Sequence, residues 1–307
     1  MKIEQILLLK EKELLTLLYE KMGGDLAEGK YLYIENKESP IMIQAHVDTV
    51  RSVIPIIQNK NGVIKANDCI LGADDRAGIF AIMKIHEHFS KKGVMPNILF
   101  TDGEEIMGTG MSAFVLDEYD FDHINLVLSL DRQGCGEYVT YNYLDRKVEE
   151  FVESFGFFQR EGTFSDIEIF TDATLIPSVN LSIGYHYQHT KKEELHIDEM
   201  YLTINRVINM VNNPLETLYK SKASSWALWR SKEELPSLKS KSSLPFGWEE
   251  DIVSYEDLRE NEDEEIDPCE LCGTVDMLVW ARDSGGEYIR ICKKCIIFVG
   301  EENIIDI

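Results

Sequence analysis

The chain has 307 residues, of which 44% are hydrophobic, enough to bury a substantial core in one large domain plus a small module. Its formal net charge of −24 excludes nucleic acid and an anionic membrane surface as the main partner, because phosphate binding needs a basic surface. In residues 1–23, leucines recur at helical spacing, with acidic residues and lysines between them. We interpret them as an amphipathic helix, neither a signal peptide nor a membrane span.

Between residues 30 and 215, candidate strands alternate with candidate helices. Apolar runs predict strands at Tyr31–Glu35, Ile41–His46, Asn97–Thr101, Leu126–Leu130, Tyr138–Tyr143 and Ser178–Ile183. Helical spacing predicts helices at Arg76–Phe89, Ser112–Asp117, Lys147–Phe155 and Glu199–Val211. This alternation predicts a three-layer α/β/α sandwich around a mixed sheet, with residues 1–215 forming the main domain.

The composition changes after Pro214. Residues 216–267 mix Ser, Lys, Trp and Pro and then become strongly acidic, so we interpret them as an acidic linker. Residues 268–307 would form the last module, with Asp283–Gly286 supplying the turn of a hairpin.

The six cysteines fall into two classes. Two Cys-x-x-Cys pairs are separated by 19 residues, the spacing of a structural zinc ribbon that holds one zinc ion. The pairs consist of Cys269, Cys272, Cys292 and Cys295. Cys69 and Cys135 stand alone. Since we find no secretory signal, we expect reduced thiols and a cytoplasmic protein.

Acidic residues and histidines gather where predicted strands give way to loops. In chain order they are His46 with Asp48, Asp74, Glu104 with Glu105, Asp131 and His189. Taken singly, each has an ordinary explanation, such as a satisfied histidine, a helix cap or a solvated face. In an open α/β sheet, however, ligands bind outside the carboxyl ends of the strands. The set therefore indicates a binding site.

The chemistry of a two-metal site accounts for these residue types. Two zinc ions about 3.5–4 Å apart need one bridging carboxylate and further ligands for each ion. Asp74 would bridge, and the other ligands would form two pairs: His46 with Asp131, and Glu105 with His189. Glu104 would stay free as the general base. Asp48 would orient the His46 imidazole.

The segments AHVDTV, GADDRAG, TDGEE, SLD and YQHT resemble, in this order, the motifs of the co-catalytic zinc exopeptidases. The resemblance covers residues 30–212 and implies the same metal ligands, with Glu104 as general base and Asp48 as supporting acid. It implies two zinc ions, with Co or Mn as alternatives. Many relatives insert a lid or dimerisation domain, but only 57 residues separate Asp131 from His189. The body therefore resembles the compact, single-domain aminopeptidases, while the GADDRAG segment is more similar to that of the tripeptidases.

Several residues keep alternative interpretations. His186 could replace His189 as a ligand, but the family pattern of His-Ser/Thr followed by Glu favours His189, with Glu193 after it. Arg132 is either an ordinary surface residue or a group that binds a substrate carboxylate. His186 is the other candidate for contacting substrate. The remaining histidines are interpreted as solvated: His86, His88, His123 and His196.

The sequence predicts a di-zinc metallohydrolase that cleaves an amide or peptide bond. We expect an aminopeptidase or dipeptidase acting on small peptides, with homo-oligomers allowed. One alternative is a metal-dependent deacylase of acylated amino acids or another small acylated metabolite. The other is a catalytically degenerate binding protein that presents the ribbon to a partner. For the enzyme, we expect the ribbon to dock near the active site or on a neighbouring subunit, in place of the missing insert.

Overall fold

The structure is a computed structural model that describes residues 1–117, 119–141, 146–162 and 164–215, with the backbone at 278–282, 288–292 and 304–305. The chain divides into two compact units, Met1–Trp226 and Ala227–Ile307. The predicted linker, 216–267, lies outside the described residues. Among the residues that are described, no helix is both long enough and apolar enough to cross a membrane.

The four predicted helices are present, with their ends shifted by a few residues. The helices are α1 Ile3–Leu7, α2 Glu11–Met22, α3 Ala73–Phe89, α4 Thr109–Leu116, α5 Arg146–Ser154, α6 Asp166–Thr174 and α7 Ile197–Asn212, with a 3₁₀ helix at Glu104–Ile106. The prediction of one N-terminal helix is wrong. A second helix begins after Lys10, whose backbone N–H donates to the Glu13 side chain at 3.2 Å, a cap that restarts the helix. Helix α6 was not predicted.

The main sheet has eight strands in the order β1-β2-β6-β3-β7-β10-β8-β9. The strands are β1 Asp25–Ala27, β2 Tyr31–Ile34, β3 Ile41–His46, β4 Ile57–Lys60, β5 Val63–Ala66, β6 Asn97–Thr101, β7 Leu126–Arg132, β8 Glu137–Thr140, β9 Phe158–Gln159, β10 Ser178–Ser182, β11 Tyr185–His186 and β12 Glu194–His196. Strands β6, β3, β7 and β10 are parallel neighbours, and β8 is parallel to β9. The antiparallel pairs are β1–β2, β2–β6 and β10–β8. The predicted mixed sheet is confirmed.

Helices cover both faces of this sheet. On one face, alternate residues of the central strands, such as Ile43 and Leu128, join a core that includes residues of α1, α3 and α7. On the other face, Phe114 of α4 stacks on Phe170 of α6 with centroids 6.2 Å apart and meets Tyr33 of β2 edge-on at 4.9 Å. The predicted three-layer sandwich is therefore confirmed.

Two smaller sheets complete the described structure. The first, β11-β12-β5-β4, was not predicted. The second lies in the C-terminal unit and contains β13 Leu278–Arg282, β14 Tyr288–Cys292 and β15 Ile304–Ile305. Strands β13 and β14 pair antiparallel on either side of the predicted turn, with Leu278 opposite Cys292. That turn and the cysteines Cys269, Cys272 and Cys295 lie outside the described residues, so the zinc ribbon stays a prediction.

Candidate metal centre

The ends of the parallel strands bring most of the candidate ligands to one edge of the sheet. Strand β3 ends at His46, which is in register with Thr101 at the end of β6. Asp131 lies one residue before the end of β7. The 3₁₀ helix after β6 carries Glu104 and Glu105. Because parallel strands share one carboxyl edge, these side chains meet there.

Asp74 lies between two histidines. Its Oδ1 is 3.0 Å from His46 Nε2, and its Oδ2 is 3.1 Å from His189 Nε2. Asp74 occupies the kinked start of α3, where its backbone is not helical, and follows Gly72 in the left-handed conformation at φ 73°. A side chain at Gly72 would also meet Arg51 Cδ at 2.8 Å, so glycine is required there. The turn thus presents one carboxylate to both imidazoles.

Two groups of potential ligands share this carboxylate. The first is His46, Asp74 and Asp131, and the second is Asp74, Glu105 and His189; in each group the ligand atoms lie within 4.8 Å of one another. His46 Nε2 is 3.3 Å from Asp131 Oδ1, and His189 Nε2 is 3.1 Å from Glu105 Oε1. The five residues predicted from sequence are therefore together, arranged as a bridged pair of metals requires.

Two orphaned atoms test whether a metal fits. His189 Nε2 and Glu105 Oε1 are both buried and 3.1 Å apart, yet neither has a hydrogen-bond partner of acceptable geometry in the described part of the chain. Buried polar atoms left unpaired in this way require an explanation such as an ion. Imidazole nitrogen and carboxylate oxygen are zinc ligands. The residues present therefore fit a two-metal centre.

The electrostatics of the site favour a cation. Burial lowers the pKa of His46, but the adjacent Asp131, Asp48 and Asp74 outweigh it and hold that pKa well above its usual value. For His189, burial again opposes the charge, but Asp74 and Glu105 raise the pKa to about 11. The metal-free cluster thus binds protons to balance its carboxylates. Metal ions would displace these protons and supply positive charge in their place.

Asp48 connects the His46 strand end to the turn that carries the glutamates. Its Oδ1 lies 3.3 Å from His46 Nδ1 and accepts the backbone N–H groups of Gly103 and Glu104 at 2.8 and 3.1 Å. Its Oδ2 accepts the N–H of Glu105 at 3.0 Å. A carboxylate on the second imidazole nitrogen is the usual partner of a ligating histidine. One side chain therefore positions parts of both ligand groups.

Glu104 borders the centre without being needed for either group that contains Asp74. It lies within ligand distance of His46 and Glu105. Burial raises the pKa of Glu104 well above its usual value; His46 opposes this rise, and the negative charges of Asp131 and Glu105 add to it. A carboxylate with a raised pKa is a stronger base, and this suits a group that must accept a proton.

Several residues that support the candidate ligands were not predicted from the sequence, or were predicted only in part. Glu193 accepts the backbone N–H groups of Gly72 and Asp74 at 2.7 and 3.1 Å and thereby holds the bridging turn. Asn180 accepts the Asp131 N–H at 3.1 Å, and the Tyr185 hydroxyl donates to Asp131 Oδ1 at 3.3 Å. Only Glu193 carried a signal, its spacing after His189.

The remaining candidates lie apart from this cluster. Arg132 pairs with Glu137 through Nη2 and Oε2 at 3.1 Å, so this ion pair would have to open before Arg132 could bind a substrate carboxylate. His186 Nε2 instead faces Glu199 Oε2 at 2.7 Å. The side chain of His196, interpreted as solvated, is only 27% exposed and contacts Glu194.

A mixed α/β sandwich whose strand ends carry two ligand groups around a shared carboxylate is the architecture of a binuclear metallohydrolase. Residues 31–211, more than half of the chain, match peptidase family M28. The chain belongs to peptidase family M28 and is a zinc-dependent peptidase. The resemblance predicted from the motifs is confirmed.

Solved structures share this fold at low sequence identity. Aminopeptidase PepT from Bacillus cereus is 16% identical, with a TM-score of 0.55 over 68% of this chain and 96% of that one. A tripeptidase from Staphylococcus aureus is 15% identical, with a TM-score of 0.53 over 68% and 98%. A dodecameric assembly, PhTET1-12s, is 12% identical, with a TM-score of 0.52 over 69% and 98%. Among curated proteins, none matches the sequence.

Proposed function

We propose that the protein is a di-zinc aminopeptidase that acts on small peptides. We choose the amino end of the peptide because of the charge around the metal centre. Arg132, the basic residue beside ligand candidate Asp131, is already paired with Glu137. Glu104, a carboxylate that the metals would not use, borders the site instead. Its negative charge suits the α-ammonium group of a peptide better than the carboxylate of its other end. The name of the B. cereus structure, an aminopeptidase, agrees with this choice.

The proposal assigns each ligand group to one metal. His46 and Asp131 would hold one ion, Glu105 and His189 would hold the other, and Asp74 would bridge them. When bound, two zinc ions polarise a carbonyl and lower the pKa of an attacking water. Co or Mn are alternative metals for these nitrogen and oxygen ligands. We also propose one structural zinc on Cys269, Cys272, Cys292 and Cys295.

Glu104 would move the proton. It would accept a proton from the attacking water and deliver it to the leaving nitrogen as the peptide bond breaks. Its burial and its acidic neighbours raise its pKa, so that the carboxylate is basic enough to take that proton. Asp48 would hold it in place through the hydrogen bond from the Glu104 backbone N–H at 3.1 Å.

A set of three matched tripeptides tests the proposal. One has free ends, one has an acetylated amino end, and one has an amidated carboxyl end; an N-acetyl amino acid tests deacylation. We expect cleavage of the free and amidated peptides, with the first residue released, and loss of cleavage on acetylation. Retention on acetylation combined with loss on amidation would reverse the assigned end. Cleavage of the N-acetyl amino acid alone would establish a deacylase.

We further propose that the protein forms a homo-oligomer through the segment before β4. Val53, Ile54 and Ile56 are 54%, 49% and 72% exposed in that segment. Clustered apolar residues on a surface are typical of protein–protein contacts. The dodecamer named for PhTET1-12s shows that this fold can assemble. Light scattering should give a mass above that of one chain, and Ile56→Asp should lower it.

The state of the thiols supports a cytoplasmic location. Cys69 and Cys135 are both free and partly exposed. Free thiols persist in reducing compartments. Cell fractionation with an antibody to the native protein would test this location.

A further inference from the structure

A second cluster of ligand-type side chains lies outside the catalytic centre. It contains His186 at the end of β11, His196 at the end of β12 and Glu199 in the first turn of α7. The ligand atoms of these three residues lie within 4.8 Å of one another. The two imidazole centroids are 4.6 Å apart. The proposed catalytic mechanism uses none of these residues.

The fold constrains these side chains to one place. Strands β11 and β12 are antiparallel, and His186 is opposite Glu194. Strand β11 comes close to the start of α7 because Gly184 has no side chain. A Cβ there would lie 2.7 Å from Met200 N and 2.9 Å from His196 O. The His196 N–H also donates to the Gly184 carbonyl at 2.8 Å. Backbone packing thus sets the distance between the imidazoles and the carboxylate.

Hydrogen bonding within the cluster prepares His196 as a ligand. Its Nε2 faces Glu194 Oε1 at 2.9 Å, and its Nδ1 faces Glu199 Oε1 at 3.5 Å. If Nε2 donates its proton to Glu194, Nδ1 is left with a lone pair directed into the cluster. This is the pattern by which a carboxylate orients a metal-ligating histidine. Lys65 pairs with the other oxygen of Glu194 and stabilises its charge.

Each carboxylate oxygen of Glu199 faces a different imidazole. Oε2 is 2.7 Å from His186 Nε2, while Oε1 is the atom 3.5 Å from His196 Nδ1. In the catalytic centre, ligand-type atoms are spaced by similar distances of 3.0 to 3.3 Å. Two imidazoles and one carboxylate form a three-residue set that binds zinc with a water in the fourth position. The side chains of these residues are 24–29% exposed, which leaves access for that water.

We propose that His186, His196 and Glu199 form a further metal site that takes a zinc-class transition ion. The ion would tie the β11–β12 hairpin to the start of α7. The loop of that hairpin carries His189, and its backbone reverses through positive φ angles of 58° at Tyr187 and 62° at His189. Loops with such angles cost conformational free energy and need support from their surroundings. The ion would therefore support the loop that delivers His189 to the catalytic centre.

Zinc stoichiometry of the full chain tests this site by difference. Wild-type protein and His186→Ala are stripped with chelator, reloaded with saturating zinc and desalted, and their metal content is measured by mass spectrometry. Saturating zinc is used so that the catalytic centre and the ribbon are filled in both proteins, and their ions then cancel in the difference. We expect wild type to hold one more ion per chain than His186→Ala. His88→Ala, a histidine on α3 outside the cluster, is the control and should match wild type.

Glu199→Gln provides a second variant if the alanine protein fails to fold, because it keeps the size of the side chain and one of its two acceptor oxygens. It should also hold one ion fewer than wild type. Zinc should raise the melting temperature of His88→Ala more than that of Glu199→Gln. Equal zinc content in wild type and the folded cluster variants would overturn the proposal. This result would leave the peptidase proposal untouched, because that proposal is read from peptide cleavage.

Discussion

Replacing Asp48 with asparagine should weaken metal binding at the catalytic centre by an amount that can be calculated from its hydrogen bonds. The asparagine oxygen can keep the place of only one carboxylate oxygen. In the more favourable orientation of the asparagine side chain, the amide oxygen takes the place of Oδ1, which contacts His46, Gly103 and Glu104. The amide NH₂ group then takes the place of Oδ2. There it opposes the N–H of Glu105, 3.0 Å away in the native protein. One charge-assisted hydrogen bond is lost, at a cost of about 1.5–3 kcal/mol.

This loss should appear mainly in metal affinity. A hydrogen-bond partner of a metal ligand contributes about 10–100-fold to affinity. That range corresponds to about 1.4–2.7 kcal/mol and agrees with the hydrogen-bond figure. The weakened ion should be the one held by Glu105 and His189, because His46 keeps its partner in the retained orientation. Zinc competition against a chelator of known affinity would resolve one weakened ion and one nearly unchanged ion at the centre.

The control is Asp68→Asn, an exposed aspartate whose left-handed backbone, at φ 55°, asparagine tolerates. Its zinc affinity should equal that of wild type. If Asp48→Asn kept wild-type affinity for both ions, the role of Asp48 in holding the Glu105 turn would be refuted. Equal weakening of both ions would show instead that the retained orientation was assigned wrongly.

Four further predictions concern the same body. Glu104→Gln should retain zinc but lower turnover by about 10²–10⁴, while the exposed control Glu161→Gln keeps wild-type kinetics. Metal analysis should show that Asp74→Ala lacks the ions of the catalytic centre and that Cys292→Ser lacks one other ion. Loss of the same ion from both variants would contradict two separate sites. Burial raises the pKa of Asp166 from 3.8 to about 6, so between these pH values the folded state keeps a proton that the unfolded state has lost. Asp166 alone should therefore lower the free energy of unfolding of the metal-free protein by about 2–3 kcal/mol as pH rises through this window, and chemical denaturation should show a fall that is smaller by this amount in Asp166→Asn. A chain ending after Pro214 should unfold cooperatively and keep the catalytic ions, because α7 ends at Asn212 and the eight-stranded sheet precedes it; aggregation of that chain would contradict this.

The parts of the fold that could be predicted are those with local signals. Strand β3 is a continuous apolar run buried at every position, and its bounds match the prediction at both ends. The small sheet was missed because its strands are short and partly exposed, as in the pattern of β4. Helix α6 begins with Asp166, a buried carboxylate that accepts hydrogen bonds from Gln44 and Thr101. These partners are more than 60 residues away in sequence, beyond any local pattern.

The identity of the candidate ligands was determined by the sequence itself. His46, Glu105 and Asp131 lie at or within a few residues of strand ends, and a parallel arrangement of those strands suffices to bring them to one edge. Asp75 also makes a local contact, since its Oδ1 accepts the Gly78 N–H three residues later at 2.9 Å. Such features depend on a few neighbouring residues, which sequence patterns record.

Only the tertiary structure decided which histidine of the last loop belongs to which cluster. His186 and His189 are three residues apart and chemically identical, and the family pattern alone favoured His189. The left-handed backbone at Tyr187 and His189 turns the chain between them, so that His189 meets Asp74 while His186 meets Glu199. Likewise, Glu193 holds the Asp74 turn from more than 100 residues away. Backbone dihedrals and long-range partners arise from packing of the whole domain, and so no local pattern specifies them.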